Sequence, residues 1–302
     1  MNVEVSSLEE LESLPDALLR HVERLMVAGD LASSQFWTYN TINRWNNDGS
    51  VTPILQNNET GEETEIPFGS VADLQLISRL TGLKALCLVN QPLESLDGIQ
   101  SLTSLEHLEL RFCPNLSDVS AAFTLQSLHE INFGFCPVRS LQGIQNLSSL
   151  SCLAMERTQV SDLSPLAETD FEAAYREADG LDLQLNDIPC EDYSPLSSIR
   201  VFRSLTIDDQ HSKSWVTALK DAELHRIVFF HSPMNSEEFA AFVAAHPELR
   251  ELHMPWNEGI TDLSPVLALP ELERLDVSWT MEAAVASLDG KEYRFEFIVE
   301  EP

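Results

Sequence analysis

Between Leu102 and Leu166 one pattern is written three times: LTSLEHLELRFCPNLSDVSAAF, LQSLHEINFGFCPVRSLQGIQN and LSSLSCLAMERTQVSDLSPLAE. Leu102, Leu125 and Leu147 open the copies, so the period is 22 or 23 residues. Within each copy apolar residues stand at the opener and three, six and eight positions later, and a small or polar residue stands at the eleventh. Neither the helical period nor simple alternation produces this spacing. A unit this short cannot bury its apolar side chains alone, so such units must stack into a solenoid. The two apolar residues flanking a single intervening one mark a short strand with both side chains turned inward.

The pattern resembles the leucine-rich repeat. Ser-Asp-Leu-Ser-Pro-Leu at 161–166 and Thr-Asp-Leu-Ser-Pro-Val at 261–266 are similar to the short 22-residue class found in bacterial internalins. The resemblance implies an α/β solenoid: a right-handed horseshoe with a parallel concave sheet and an N-terminal helical cap. The first inward positions are Leu86, Leu108, Ile131, Leu153, Leu181, Leu205, Ile227, Leu252 and Leu275. The second are Leu88, Leu110, Phe133, Met155, Leu183, Ile207, Phe229, Met254 and Val277, which predicts about nine strands. The 28-residue step from Leu153 to Leu181 holds ETDFEAAYREAD at 168–179, a helical insertion. Further helices are expected at 235–246, with Asn235 as cap and Glu238 three residues on, and at 215–219. Five residues after each first inward position come Gln91, Cys113, Cys136, Thr158, Asn186, Gln210, Ser232, Asn257 and Thr280. The family usually places asparagine there, with cysteine or threonine as substitutes, so Cys113 and Cys136 read as buried structural thiols.

Residues 1–70 are expected to be a helical cap with a hairpin, and 71–302 the repeat domain, closed by a C-terminal cap at 281–302. Ser7 with Glu10 opens a helical pattern over 6–29, its stripe running Leu8, Leu11, Leu14, Leu18, Leu19, Val22, Leu25 and Met26, divided at Pro15. Asp48-Gly49 between apolar segments predicts a hairpin turn, and the polar stretch 57–65 a loop. Tyr293 to Val299 alternates as an edge strand does.

The 302 residues carry 49 acids against 18 bases, a formal charge of −31. Residues 1–70 hold 12 acids and 3 bases, so the bias runs through the chain. Such a field repels nucleic acid and anionic membrane and attracts basic proteins, although solubility or a saline habitat accounts for it equally. No apolar run approaches the ~20 residues that span a bilayer, and the N-terminus lacks a basic-then-apolar leader. Five cysteines without paired spacing fit a reducing compartment. The expectation is a cytoplasmic monomer. No metal-ligand spacing, phosphate loop or nucleophile motif is present, so neither a cofactor nor an enzymatic activity is expected.

The remaining signal lies in residues facing out from the strands. Cys87, Glu109, Asn132, Ala154, Asp182, Thr206, Val228, His253 and Asp276 are assigned to one outward column. Asn90, Phe112, Phe135, Arg157, Leu185, Asp209, His231, Trp256 and Trp279 form another. Core packing gives no reason for Phe112, Phe135, Trp256 and Trp279, and grouped exposed aromatics bring contact area at little entropic cost. Glu109, Glu156, Asp182, Asp208 and Asp209 surround them. The partner-binding candidates are therefore Glu109, Phe112, Phe135, Glu156, Arg157, Asp182, Asp208, Asp209, His231, His253, Trp256 and Trp279. They predict a module that binds a basic protein through its concave face. An inhibitor or immunity protein against a basic toxin or nuclease is the alternative that the resemblance suggests. A third reading gives residues 1–70 an activity of their own and leaves the repeats to select its substrate.

Overall fold

The structure is a computed structural model, and it describes residues 6–33, 39–46, 48, 50–208 and 213–300. Asp209 and Gln210 lie outside the described residues. The chain forms two compact units, one of residues 1–150 with 157–159 and the other of residues 151–156 with 160–302.

The first unit begins with α1 (Leu8–Ser13) and α2 (Asp16–Leu19). The Ser7 hydroxyl accepts the Glu10 amide at 3.0 Å, and the Glu10 carboxylate takes the Ser6 amide at 2.9 Å, so the N-terminus is capped from both sides. Helix ends at Leu19, and here the helical reading of 6–29 fails. Residues Arg24–Ala28 form strand β1, and Leu31–Ser33 turn back antiparallel as β2. Leu19, Val22, Leu25 and Val27, all fully buried, carry the repeat's own spacing of opener, third, sixth and eighth position. The segment is a repeat that the helical stripe conceals, because i, i+3 and i+6 serve both patterns.

Three strands follow: β3 (Tyr39–Trp45), β4 (Val51–Asn57) and β5 (Glu63–Glu65). They pair antiparallel in that order as a small separate sheet, with the β3–β4 turn at the expected hairpin position. Residues 63–65 are thus strand and not the expected loop. Next come β6 (Ala85–Val89), β7 (His107–Arg111) and β8 (Glu130–Asn132), with β1, β6, β7 and β8 parallel and in register. Leu25, Leu86, Leu108 and Ile131 are aligned and buried, as are Val27, Leu88 and Leu110 with Phe133 one rung beyond. Gly82 sits where a Cβ would come within 2.0 Å of the Arg20 carbonyl oxygen, so only glycine lets the chain close on that first rung.

The second unit contains β9 (Cys152–Ala154), α3 (Ser164–Ala167), α4 (Glu172–Glu177), β10 (Leu181–Leu185) and β11 (Val201–Asp208). It continues with α5 (Ser214–Ala218), β12 (Glu223–Leu224), β13 (Arg226–Phe230), α6 (Ser236–Ala245) and β14 (Glu251–His253). It ends with β15 (Arg274–Ser278), α7 (Glu282–Ala286) and β16 (Glu296–Glu300). All its strand pairings are parallel among the described residues. The expected helices form, α6 with both halves of its capping box on Asn235 and Glu238. Trp215 on α5 and Phe242 on α6 meet Phe229 of β13 at 5.6 and 6.3 Å, which supplies a helical outer layer to these longer repeats.

One register differs from the sequence reading. Leu183, not Leu181, aligns with Leu153 and Leu205, so the inward pair on β10 is Leu183 and Leu185. Leu181-Asp-Leu-Gln-Leu185 alternates and fits two registers, and the helical insertion removes the fixed step that would choose between them. Asp182 therefore moves from the central outward column to the row of Cys152 and Ser204, and Gln184 replaces it.

Leu25→Ala is expected to lower the unfolding free energy by about 2–5 kcal/mol, as for any core leucine in the stack. Chemical denaturation of the full chain measures it, and a near-neutral result would return residues 24–28 to an accessory role. A second test is electrostatic. His246 is fully buried against Phe242 with Nδ1 3.2 Å from the Ala222 carbonyl, and burial lowers its pKa from 6.5. Above that value both folded and unfolded states hold it neutral. Below it the unfolded chain gains a proton that the folded chain resists, so stability falls with acidification. The wild-type melting temperature should drop between about pH 7.5 and about pH 5.5, and His246→Phe should flatten that part of the profile.

Candidate functional site

Seven repeats leave their strands through one residue with positive φ. These are Asn90, Phe112, Phe135, Arg157, Asp187, His231 and Trp256, with φ between 49° and 61°. Asparagine and aspartate tolerate the left-handed region, but a bulky side chain there is strained. Of the aromatic column picked from the sequence, Phe112, Phe135 and Trp256 are left-handed exits, whereas Trp279 is not. In the β10 repeat the exit residue is Asp187 and not the expected Leu185, which follows from the corrected register.

In the first unit this column is occupied by the chain itself. Phe112 and Phe135 stack with centroids 4.3 Å apart and planes 8° from parallel. The Arg157 guanidinium lies 5.9 Å from the Phe135 ring and 4.3 Å from Trp45 of the small sheet. Arg111 pairs with Glu109 at 3.4 Å and donates to the Asn43 side chain. Cys87, expected to face outward into solvent, is 1% exposed. It packs with Met26, Ala28, Val89 and Ile66, under Leu31, Leu55 and Phe112. The small sheet thus covers the outward face of β1 and β6, and Glu109, Phe112, Phe135 and Arg157 fix it there. Sequence reasoning missed this because the cover is an insertion outside the repeat spacing.

The second unit keeps its exposed aromatics. Trp256 and Trp279 are 46% and 48% exposed. Trp256 stacks on His231 at 5.5 Å, 11° from parallel, and rests on Phe230 at 5.8 Å, while its amide donates to the Ser278 hydroxyl. Asp208 lies 3.2 Å from His231. Glu156 is part-buried.

Beside the platform runs an ion network that the sequence reading did not contain. In register across β13 to β16 stand Arg226, Glu251, Arg274 and Glu296, alternating in sign. Arg226 meets Glu251 at 3.0 Å, and Arg274 meets Glu296 at 3.6 Å. Two residues along, His253 meets Asp276 at 2.6 Å and Glu251 at 3.4 Å, and Arg274 also holds Asp276 at 3.0 Å. Asp276, assigned to an exposed column, is buried beneath His253 and Arg274, and Ala154, Thr206 and Val228 of the same column are buried as well. Asp182 is paired with Arg203 at 3.2 Å. Glu251, Asp276 and Glu296 are therefore matched by Arg226 and Arg274, which stand in the row before the first inward residue, and Asp182 by Arg203. That row was legible in the spacing but carries no aromatic to draw attention.

The ladder thiols are structural in placement. The Cys136 thiol donates to the Leu110 carbonyl at 3.1 Å, and burial holds its pKa well above the ordinary value. None of the five cysteines forms a disulfide. Among the described residues no group of three or more histidines, cysteines or carboxylates could hold a metal, and no helix is long and apolar enough to cross a membrane.

These rungs, exits and ladder bonds define a leucine-rich repeat fold of the internalin type. An internalin (inlF) from Listeria monocytogenes is similar over 80% of this chain and 72% of its own, with a TM-score of 0.53 and 20% identity. Internalin C2 from the same organism matches over 70% of this chain and 77% of its own, at a TM-score of 0.45 and 22% identity. No protein-family profile matches the chain. No curated protein matches it in sequence either.

Replacing Trp256 by asparagine, which tolerates its φ of 58°, should leave the stability unchanged or raise it by up to about 1 kcal/mol. A loss larger than about 1 kcal/mol in urea titration would make Trp256 a packing residue of the rim.

Proposed function

We propose that the chain is a protein-binding repeat module, and that the second unit's aromatic platform is its contact surface. The observation that carries this is Trp256: a large aromatic, nearly half exposed, held in a strained backbone conformation with His231 and Phe230 beneath it. Strain of this kind persists where function requires it. An exposed tryptophan on a rigid base also gives up little entropy on binding. Trp279 extends the apolar area, and the alternating Arg226–Glu251–Arg274–Glu296 row offers a rim that selects register. The chain's net charge of −31 supports a basic partner through long-range attraction, since the nearby carboxylates are mostly paired within the face.

Capturing binding proteins on immobilised wild type and on Trp256→Asn tests the reading. A partner bound through the platform should lose about 2 kcal/mol or more of affinity on the substitution, with the melting temperature unchanged. Its association should slow as salt rises, because the Debye length falls to about 3 Å at 1 M. A partner retained equally by both proteins, or one cross-linked only to the helical side around α4, would overturn it. If the captured partner is an enzyme whose activity is blocked on binding, the inhibitor reading takes the place of the general one.

A further inference from the structure

The small sheet of the first unit has a free side. Strand β5 pairs with β4 and has no neighbour on its other edge among the described residues. Which of its backbone groups point outward follows from the register. The Asn57 amide bonds the Glu62 carbonyl and the Ile66 amide bonds the Pro53 carbonyl, each at 2.9 Å. With Leu55 opposite Thr64 between them, the odd residues of β4 are the ones that bond β5. Antiparallel ladders alternate, so the amides and carbonyls of Glu63 and Glu65 face away from β4. All three residues of β5 are exposed.

Along this edge lies an open cleft of about 370 Å³. Its floor includes Leu31, Leu55 and Ile66, and its rim Asp30, Glu62 and Glu65. No cationic side chain lines it. Arg44 binds Glu63 and Glu65 at 3.2 Å, and it stands in register with Thr52 on the side of the sheet opposite Thr64 and Leu55. An acidic edge strand of this kind repels a second copy of itself.

We infer that β5 accepts an extended, lysine-bearing segment of a partner protein as an added strand. The segment's backbone would bond the outward amides and carbonyls of Glu63 and Glu65, and one lysine would lay its methylenes over Leu31 and Leu55 with its ammonium at Asp30 and Glu62. Main-chain bonds supply affinity in this mode, and the side-chain cleft supplies selectivity. A lysine suits the cleft because its stem is apolar and its head charged. The site shares no residue with the Trp256 platform and stands or falls without it.

The probe is a capped, fluorescently labelled heptapeptide alternating valine and lysine, titrated into the full chain and followed by polarisation. Saturable binding is expected, absent for the matched valine–glutamate peptide. Glu63→Pro removes one outward amide while leaving the β4 ladder intact, and should abolish binding with the melting temperature kept. Glu63→Gln, which keeps that amide, should retain it. Asp30→Asn with Glu62→Gln should weaken binding by about tenfold at low salt. Trp256→Asn should have no effect here. On the wild-type chain, hydrogen exchange at the Glu63 and Glu65 amides should slow with peptide bound, a readout that survives if the proline variant misfolds. Failure of the lysine peptide to bind, binding that survives Glu63→Pro in a folded protein, unchanged exchange at both amides, or equal displacement by spermine would overturn the proposal. The last would show attraction to charge without strand addition.

Discussion

Each turn of this chain holds two inward side chains that its own twenty-odd residues cannot cover. Leu86 and Leu88 are dry only because Leu25 and Val27 lie on one side and Leu108 and Leu110 on the other. That lateral contact is what the remaining features serve. The ladder residues satisfy the backbone where the strand ends, as Asn257 does with the Phe229 and Pro255 carbonyls at 2.9 Å. Leu275 and Val277 are covered by β16, whose Phe297 and Val299 are only half-buried.

Stacking also requires that every rung leave its strand by the same sharp turn, and this is where architecture and surface become one question. In seven of the repeats the turn takes a positive φ. Asn90 and Asp187 meet it at low cost, whereas Phe112, Phe135, His231 and Trp256 each carry roughly 1–2 kcal/mol of backbone strain. Most of these side chains recover something by stacking: Phe112 on Phe135, and His231 beneath Trp256. Trp256 has a neighbour below and solvent above. Its strain is not returned by burial, which separates it from the phenylalanines that hold the small sheet.

The rungs were readable because their period is rigid. Eight of the nine predicted inward pairs are in place, and the ninth failed where an insertion of variable length precedes an alternating Leu-x-Leu-x-Leu that fits two registers. The first rung was hidden for a related reason, since Leu19, Val22 and Leu25 serve a helix as well as a repeat. Covering of the outward face was not legible at all. Cys87 and Glu109 share a column, yet one lies under Ile66 and the other at the rim with Arg111, and only the fold of the 39–65 insertion decides which. Similarly, Arg226 and Arg274 look like scattered bases until register places Glu251 between them.

The charge can be divided in the same way. Asp118, Asp162, Asp192 and Asp262 each accept the amide of a serine two residues on, at 2.8–2.9 Å, and so start the return turn of a repeat. Those hydrogen bonds lower the carboxyl pKa in all four. The motif that marks the repeat class therefore brings an aspartate with it. Part of the −31 is a by-product of how these turns are made. Another part is spent against Arg203, Arg226 and Arg274 on the outward strands. Among the described residues, what is left unmatched at short range includes Asp30 and Glu62 on the cleft beside β5, whose lining holds no base. The uniform excess of acid at the level of composition thus includes carboxylates with distinct tasks: turn formation, internal pairing and the rim of the cleft. In the strand-addition proposal that rim meets the cation at close quarters, while the net charge acts at long range.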